Sequence, residues 1–339
     1  MVAVEIINFC SKILYNIIYI YNIIMSKTNT VVSKQKLTPN YIKPLNNKIA
    51  FCFLIIDKME QEELWFDFFK YIDTNKYSIY IHCKENTTLK YFNKFILKNL
   101  IPTQYCRPSV INAHNLLFKQ AAEDGNYKII SLCGSCVPLK TFDYIYNFLT
   151  QDNLCRFNVI PKPPGKLPMN GARGIASLQK YYKVDDIQKA ANWFVLNNEI
   201  AKIIASEDPK VIDEKYGGCS CPEEHYFLTA IYEKNLQDQI TTTPNLQDGG
   251  TTFTNWNEPN YKYGRGYAQQ NYSGKWPKAY SFIQKEEIDY LLTRNCLFGR
   301  KFPSNCIVEP INISLHNYLM PKLLFNTKTN LCELPNQLK

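Results

Sequence analysis

Residues 48–56 form a near-continuous apolar run, the pattern of a strand buried on both faces of a parallel sheet. Residues 61–72 then switch to helical spacing through Leu64, Trp65, Phe68 and Phe69, and residues 77–82 return to a strand pattern. Strand, helix, strand in that order predicts a right-handed crossover unit. The alternation continues with an amphipathic helix over 110–122, a strand over 127–132 and a helix over 142–149. Such alternation predicts an α/β sheet whose ligands bind beyond the carboxyl ends of the strands. By that rule His82, Cys83 and Lys84, together with the loop from Cys133 to Cys136, lie at a ligand rim.

Beyond residue 150 the pattern becomes irregular. Residues 161–190 carry Pro161, Pro163, Pro164, Gly165, Pro168, Gly171 and Gly174 and read as a long loop, a kind that is usually functional or mobile. Asn192, Trp193 and Phe194 open a strand and helix that lead to Pro222-Glu223-Glu224-His225. Proline at the first helical position has the right φ and needs no N–H partner, so both glutamates fall in the first turn. Two readings stand side by side: helix capping ahead of an apolar face (Tyr226, Phe227, Ile231), or a fixed ionised carboxylate suited to general-base work. Further on, residues 248–256 read as a turn and strand, 261–272 as a Gly- and Tyr-rich loop, 285–295 as a helix and 296–302 as a compact strand carrying Arg300 and Lys301. These two, with Lys275 and Lys278, either clamp a diphosphate or are solvated surface charges.

The chain has 339 residues, 45% of them hydrophobic, enough to bury a substantial core in one large domain. Its net charge of +9 points toward an anionic ligand, but the 39 Lys and Arg are scattered among acidic residues in no long block, which argues against a nucleic-acid surface. Twelve cysteines include one Cys-x-x-Cys pair, Cys133 and Cys136, and one Cys-x-Cys pair, Cys219 and Cys221. Neither has the complement a zinc site needs; Cys133 and Cys136 flank Gly134-Ser135 at the end of an apparent strand and read as structural thiols ahead of a redox loop, and the even count permits disulfides without establishing an oxidising compartment. Residues 1–25 are largely apolar, but the run from Ile13 to Met25 is short for a full span. They are a candidate signal anchor, or an artefact if Met25 is the true start. Residues 26–47, with Pro39 and Pro44, read as a linker, and a single catalytic domain is expected over 48–335. Sequons at Asn86, Asn271 and Asn312 carry little weight in a chain so rich in asparagine.

The order of these segments resembles the core-2/I-branching enzyme family, glycosyltransferase family 14. The matching pieces are the strand at 48–56; Trp65, Phe68 and Phe69; the strand at 77–82; the stretch from Ser131 to Leu139; Asn192-Trp193-Phe194; Cys221 to Tyr226; and Phe298-Gly299-Arg300-Lys301-Phe302. Together they cover residues 48–305. The resemblance implies a GT-A-like glycosyltransferase fold with a mostly parallel central sheet flanked by helices. It also implies inverting, metal-independent transfer of a sugar, N-acetylglucosamine from UDP-GlcNAc in the family's usual form, to a hydroxyl of a glycan acceptor. No cofactor is expected. The partners are the nucleotide-sugar donor and the acceptor, with membrane association through residues 4–25.

Carried over residue by residue, the resemblance makes Glu224 the catalytic base. Lys301, with Lys278 and Arg300, neutralises the leaving diphosphate, work for fixed cations where no Asp-x-Asp metal motif occurs in the chain. The family has arginine where Lys278 stands, and lysine lacks the planar fork that grips two phosphate oxygens. Trp256 falls at an aromatic that packs on the acceptor sugar, and equally suits a core position. His82 falls at the nucleotide rim, but Cys83 and Lys84 follow it where animal relatives have His-x-Asp. Transfer of another sugar such as xylose, and a catalytically silent module that binds glycans or nucleotide sugars, remain alternatives. The expected location is single-pass in a Golgi-like membrane, or cytoplasmic if translation starts at Met25.

Overall fold

In the computed structural model, the described residues are 47–85, 87–168, 173–242, 251–256 and 277–325. The apolar amino-terminal segment, the linker, two of the three sequons and the loop at 261–272 lie outside them. Among the described residues no helix is long and apolar enough to cross a membrane.

The first apolar run is strand β1 (Ile49–Ile55), and it sits inside the sheet because both of its faces are apolar. It pairs in parallel with β2 (Tyr77–Cys83) on one side and β3 (Lys128–Cys133) on the other. Helix α1 (Glu62–Phe69) makes the crossover from β1 to β2, and α2 (Pro108–Glu123) the crossover from β2 to β3. Alternate β1 residues serve opposite layers. Phe51 and Phe53 pack with Trp65, Phe68 and Phe69 of α1, whereas Ala50 and Cys52 join Ile111, Leu117 and Phe118 of α2. The result is a sheet with a helical layer and its own hydrophobic core on each face.

Helix α3 (Phe142–Thr150) closes the first half, with Thr141 capping its amino end by accepting from the Tyr144 amide. The sheet continues through β5 (Cys155–Phe157), β6 (Val195–Asn197) and β7 (Ile240–Thr242), in the order β2-β1-β3-β6-β5-β7. Only β6 runs against its neighbours, antiparallel to both β3 and β5. The mostly parallel α/β sheet expected from the alternation is therefore present. Helices α4 (Asn198–Ala205), α5 (Pro209–Tyr216) and α6 (Glu223–Glu233) follow β6. The stretch read as a long loop contains a 3-10 helix (Ile175–Lys180) and a bridge between Val159 and Ala190.

Two small sheets complete the unit. β4 (Val137–Pro138) and β8 (Thr252–Thr254) flank β10 (Phe298–Arg300), which carries the basic pair. β9 (Phe282–Gln284) and β12 (Ile313–Ser314) flank β11 (Ile307–Glu309), between helices α7 (Lys285–Thr293) and α8 (Leu315–Phe325).

Candidate active site

The carboxyl ends of β1 and β3 open into a cavity of about 290 Å³, whose wall includes Cys133, Gly134, Ser135, Arg300, Lys301 and the loop from Ile55 to Glu60. The loop after β3 is held down by neighbours distant in sequence. The Trp65 indole N–H donates to the Cys136 carbonyl at 2.8 Å, and the Glu60 amide donates to the Gly134 carbonyl at 2.7 Å. A Cβ on Gly134 would stand 2.6 Å from the Lys58 carbonyl oxygen, so only glycine fits that close approach.

Two cations enter this cavity from the end of β10. The Arg300 guanidinium is almost fully buried, lies 3.7 Å from the centroid of the Trp193 ring, and donates from Nε to Cys133 Sγ at 3.3 Å. Lys301 follows it. Burial, with the like charge of Arg300 beside it, lowers its affinity for a proton below that of an ordinary lysine. An anion in the cavity would relieve that repulsion. Asp57, Lys58 and Glu60 also line the cavity, with Lys58 and Glu60 paired to each other at 3.2 Å, so the wall carries both signs of charge and its other two cations lie at the Arg300 and Lys301 end.

Backbone pairing brings Lys278 next to Lys301: the Lys301 amide donates to the Lys278 carbonyl at 3.4 Å, and the Tyr280 amide to the Lys301 carbonyl at 2.9 Å. The Lys278 ammonium, however, is not part of the cavity wall. It lies 4.2 Å from the centroid of the Tyr280 ring, where burial lowers its proton affinity. The Asn255 carbonyl accepts from the Lys278 amide at 2.9 Å, which brings the adjacent Trp256 to the same strand end with 37% of its surface exposed.

The acidic helix start forms as the sequence predicts. Pro222 has helical φ and ψ (−66° and −19°), and its carbonyl accepts from the amides of His225 and Tyr226. The start is then pinned against residues 188–190. The Ala190 amide donates to the Glu224 carbonyl at 2.8 Å, the His225 ring nitrogen Nδ1 bonds the Gln188 carbonyl at 2.7 Å, and Thr229 accepts from the Gln188 amide. His225 is fully buried, and burial pulls it down to about 4, so it stays neutral in the native protein.

The two glutamates part company here. Glu224 is partly exposed and its Oε2 lies 3.2 Å from Lys189 Nζ, an ion pair that fixes where the carboxylate points. Glu223 is buried with Oε2 unbonded. Burial, joined by the negative charge of Glu224 and opposed by a hydrogen bond from Asn192, pushes it up to about 7. A disulfide between Cys106 and Cys221 ties this helix start to the loop before α2. That loop carries Tyr105, whose phenol interacts electrostatically with Glu223, Glu224 and Arg300 together. The acidic helix start and the basic strand end thus both lie within electrostatic range of Tyr105, while neither glutamate is part of the cavity wall. His82 is not brought to it. The ring is fully buried at the end of β2, accepts from the Ile101 amide at 2.9 Å, has its proton affinity lowered by burial, and lines no part of the cavity.

A family model described as Core-2/I-Branching enzyme matches residues 49–290, well over half of the chain. The chain belongs to the core-2/I-branching enzyme family. Among curated proteins it is similar to Glycosyltransferase BC10 of Oryza sativa subsp. japonica, 21% identical over 243 residues. That match takes in 62% of this chain and 59% of the rice protein, so the chain spans less than two thirds of the relative's length. The core-2/I-branching match contains Cys133, Glu224, Trp256 and Lys278 and ends before Arg300 and Lys301. Those two join the site through geometry, by the pairing of β10 with β4 and β8.

Several residues of the candidate site carried no signal in the sequence. Lys189 and Tyr105 are a lysine and a tyrosine in a chain rich in both. Cys106 and Cys221 are separated by 115 residues, and no spacing pairs them. The expectation of structural thiols fits Cys136, which is fully buried, but not Cys133, which lines the cavity. Among the described residues one trio of metal-ligand type lies close together, Cys106, Cys221 and Glu223. Its two sulfurs are bonded to each other and are not thiolates, so the trio does not fit a metal.

Proposed function

We propose that the protein is an inverting glycosyltransferase that moves a sugar, N-acetylglucosamine from UDP-GlcNAc, to a hydroxyl of a glycan acceptor. The observation that carries the reading is a cavity at the carboxyl ends of β1 and β3 that bears Arg300 and Lys301, with a partly exposed, ion-paired carboxylate, Glu224, that shares the electrostatic surroundings of Tyr105 with Arg300. The donor diphosphate would lie against Lys301 and Arg300, and Glu224 would take the proton from the acceptor hydroxyl as that oxygen attacks the anomeric carbon. The bond from that carbon to the diphosphate breaks on the opposite side, so the configuration inverts. Fixed positive charge, already oriented, stabilises the departing diphosphate more effectively than water that must reorient.

Lys278 supports Lys301 through the backbone and reaches the diphosphate only if its side chain leaves Tyr280. Trp256 offers an exposed ring at the same strand end, suited to the apolar face of an acceptor sugar. His82 acts through packing beneath the end of β2. Purified protein, incubated with a panel of UDP-sugars and mixed glycan acceptors in excess chelator, should release UDP, fastest with UDP-GlcNAc. Faster release from UDP-xylose would replace the donor assignment, strict dependence on manganese would overturn the metal-free mechanism, and donor binding without turnover would favour a silent binding module.

A further inference from the structure

The loop after β3 holds two thiols in an arrangement that sugar transfer does not require. The sulfurs of Cys133 and Cys136 lie 3.2 Å apart, and the Cys133 amide donates to Cys136 Sγ at 3.3 Å, which keeps both side chains on the same side of the turn. Closing that gap to a bond of about 2.05 Å needs a movement of roughly 1 Å, within the reach of side-chain rotation. Exposure is divided between them: Cys133 lines the cavity and Cys136 is fully buried behind it. Arg300 completes the arrangement, since its nearly buried guanidinium donates to Cys133 Sγ at 3.3 Å. A thiolate formed at Cys133 would be stabilised by that neighbouring cation.

We propose that Cys133 and Cys136 form a reversible dithiol–disulfide couple in the wall of the cavity, with Cys133 as the attacking thiolate and Cys136 as the resolving thiol. The Cys136 hydrogen bond and the Arg300 charge both hold the Cys133 thiol well below an ordinary cysteine, while burial and the neighbouring Cys133 hold Cys136 well above it. Cys83 and Cys219 are pushed up to about 11, and Cys155, Cys296 and Cys306 to about 12, by burial, and burial raises Cys52 further still. Reaction should therefore be confined to Cys133 among the free cysteines of the described residues.

The chemistry is thiol–disulfide exchange with a small-molecule disulfide such as oxidised glutathione. The Cys133 thiolate attacks one sulfur of the reagent, forms a mixed disulfide and expels a thiolate. Cys136 then loses its proton and attacks the Cys133 sulfur, closing the internal bridge and expelling the second thiolate. Two protein thiols are oxidised and one reagent disulfide is reduced to two thiols. This couple goes beyond sugar transfer and stands whether or not the protein moves a sugar.

Trypsin would release both cysteines on a single peptide, residues 129–140, separate from the peptides holding Cys106 and Cys221. The full chain, equilibrated in glutathione buffers of rising oxidised-to-reduced ratio, acid-quenched, alkylated and digested, should show that peptide passing from doubly alkylated to a form lacking two hydrogens, in one two-electron transition. Cys136→Ser should trap glutathione on Cys133, and Cys133→Ser should leave Cys136 unmodified. A wild-type peptide that stays doubly alkylated at the most oxidising ratio, that accumulates glutathione without closing, or that bridges to another cysteine would overturn the proposal. The wild-type mapping decides the matter even if a variant fails to fold.

Discussion

Replacing Glu223 with glutamine tests how this helix start manages two adjacent carboxyl groups. Glu223 is 7% exposed and its Oε2 has no hydrogen-bond partner among the described residues. Burial raises it from an ordinary 4.5 to about 7. The folded protein thus holds a proton that the unfolded chain releases at lower pH. Between about pH 4.5 and pH 7 the native state binds more protons, and stability falls as pH rises through that window. A gap of about 2.5 pH units, at about 1.4 kcal/mol each, amounts to about 3.5 kcal/mol, fully present below the window and lost above it. His225 and His114, which burial pulls down to about 4 and about 3, work in the opposite sense, gaining stability as pH rises toward the ordinary histidine value. Both histidines are common to the wild type and Glu223→Gln, so their contributions cancel in the difference. Urea unfolding of the two full-length proteins between about pH 5 and pH 8 should give similar stabilities at the acid end, with the wild type weaker by about 3 kcal/mol at the alkaline end. A difference that stays constant within about 0.5 kcal/mol across that range would mean that Glu223 is ionised throughout and the reasoning from burial is wrong.

Glu224→Gln keeps the shape of the partly exposed side chain and removes its basicity. Single-turnover sugar transfer should slow by about 10²- to 10⁴-fold with UDP affinity nearly unchanged, and a parallel loss of affinity would count against a base. Lys301 lines the cavity and Lys278 does not, so Lys301→Ala should lower the transfer rate by about 10²-fold or more and Lys278→Ala by clearly less. The reverse ranking would place the diphosphate elsewhere. Gly134→Ala should lower the unfolding free energy by about 1–3 kcal/mol and raise the donor KM, because the new Cβ meets the Lys58 carbonyl; an unchanged unfolding midpoint would show that the two loops move apart freely.

The sequence by itself determined the strands and helices of the amino-terminal half, since β1 is apolar on both faces and α1 and α2 each present one apolar stripe. Those periodicities are local, and a strand buried on two sides has few other places to go. The helix at Glu223 was equally legible, because a proline followed by two acidic residues is a local start signal. Tertiary structure alone decided what the two glutamates do. One turns into the core and the other meets Lys189, a residue 35 positions upstream that reaches it only because residues 188–190 run along the helix start. The same holds for Arg300 against Cys133 and Trp193, and for Cys106 against Cys221, partners separated by more than a hundred residues. Periodicity reports which face of an element is buried. It does not report which distant side chain arrives there, because that depends on the order of strands and the packing of loops, which chain position does not encode locally. His82 marks the same boundary: its place at a strand end was readable, but its burial beneath the segment at Ile101 came from the fold.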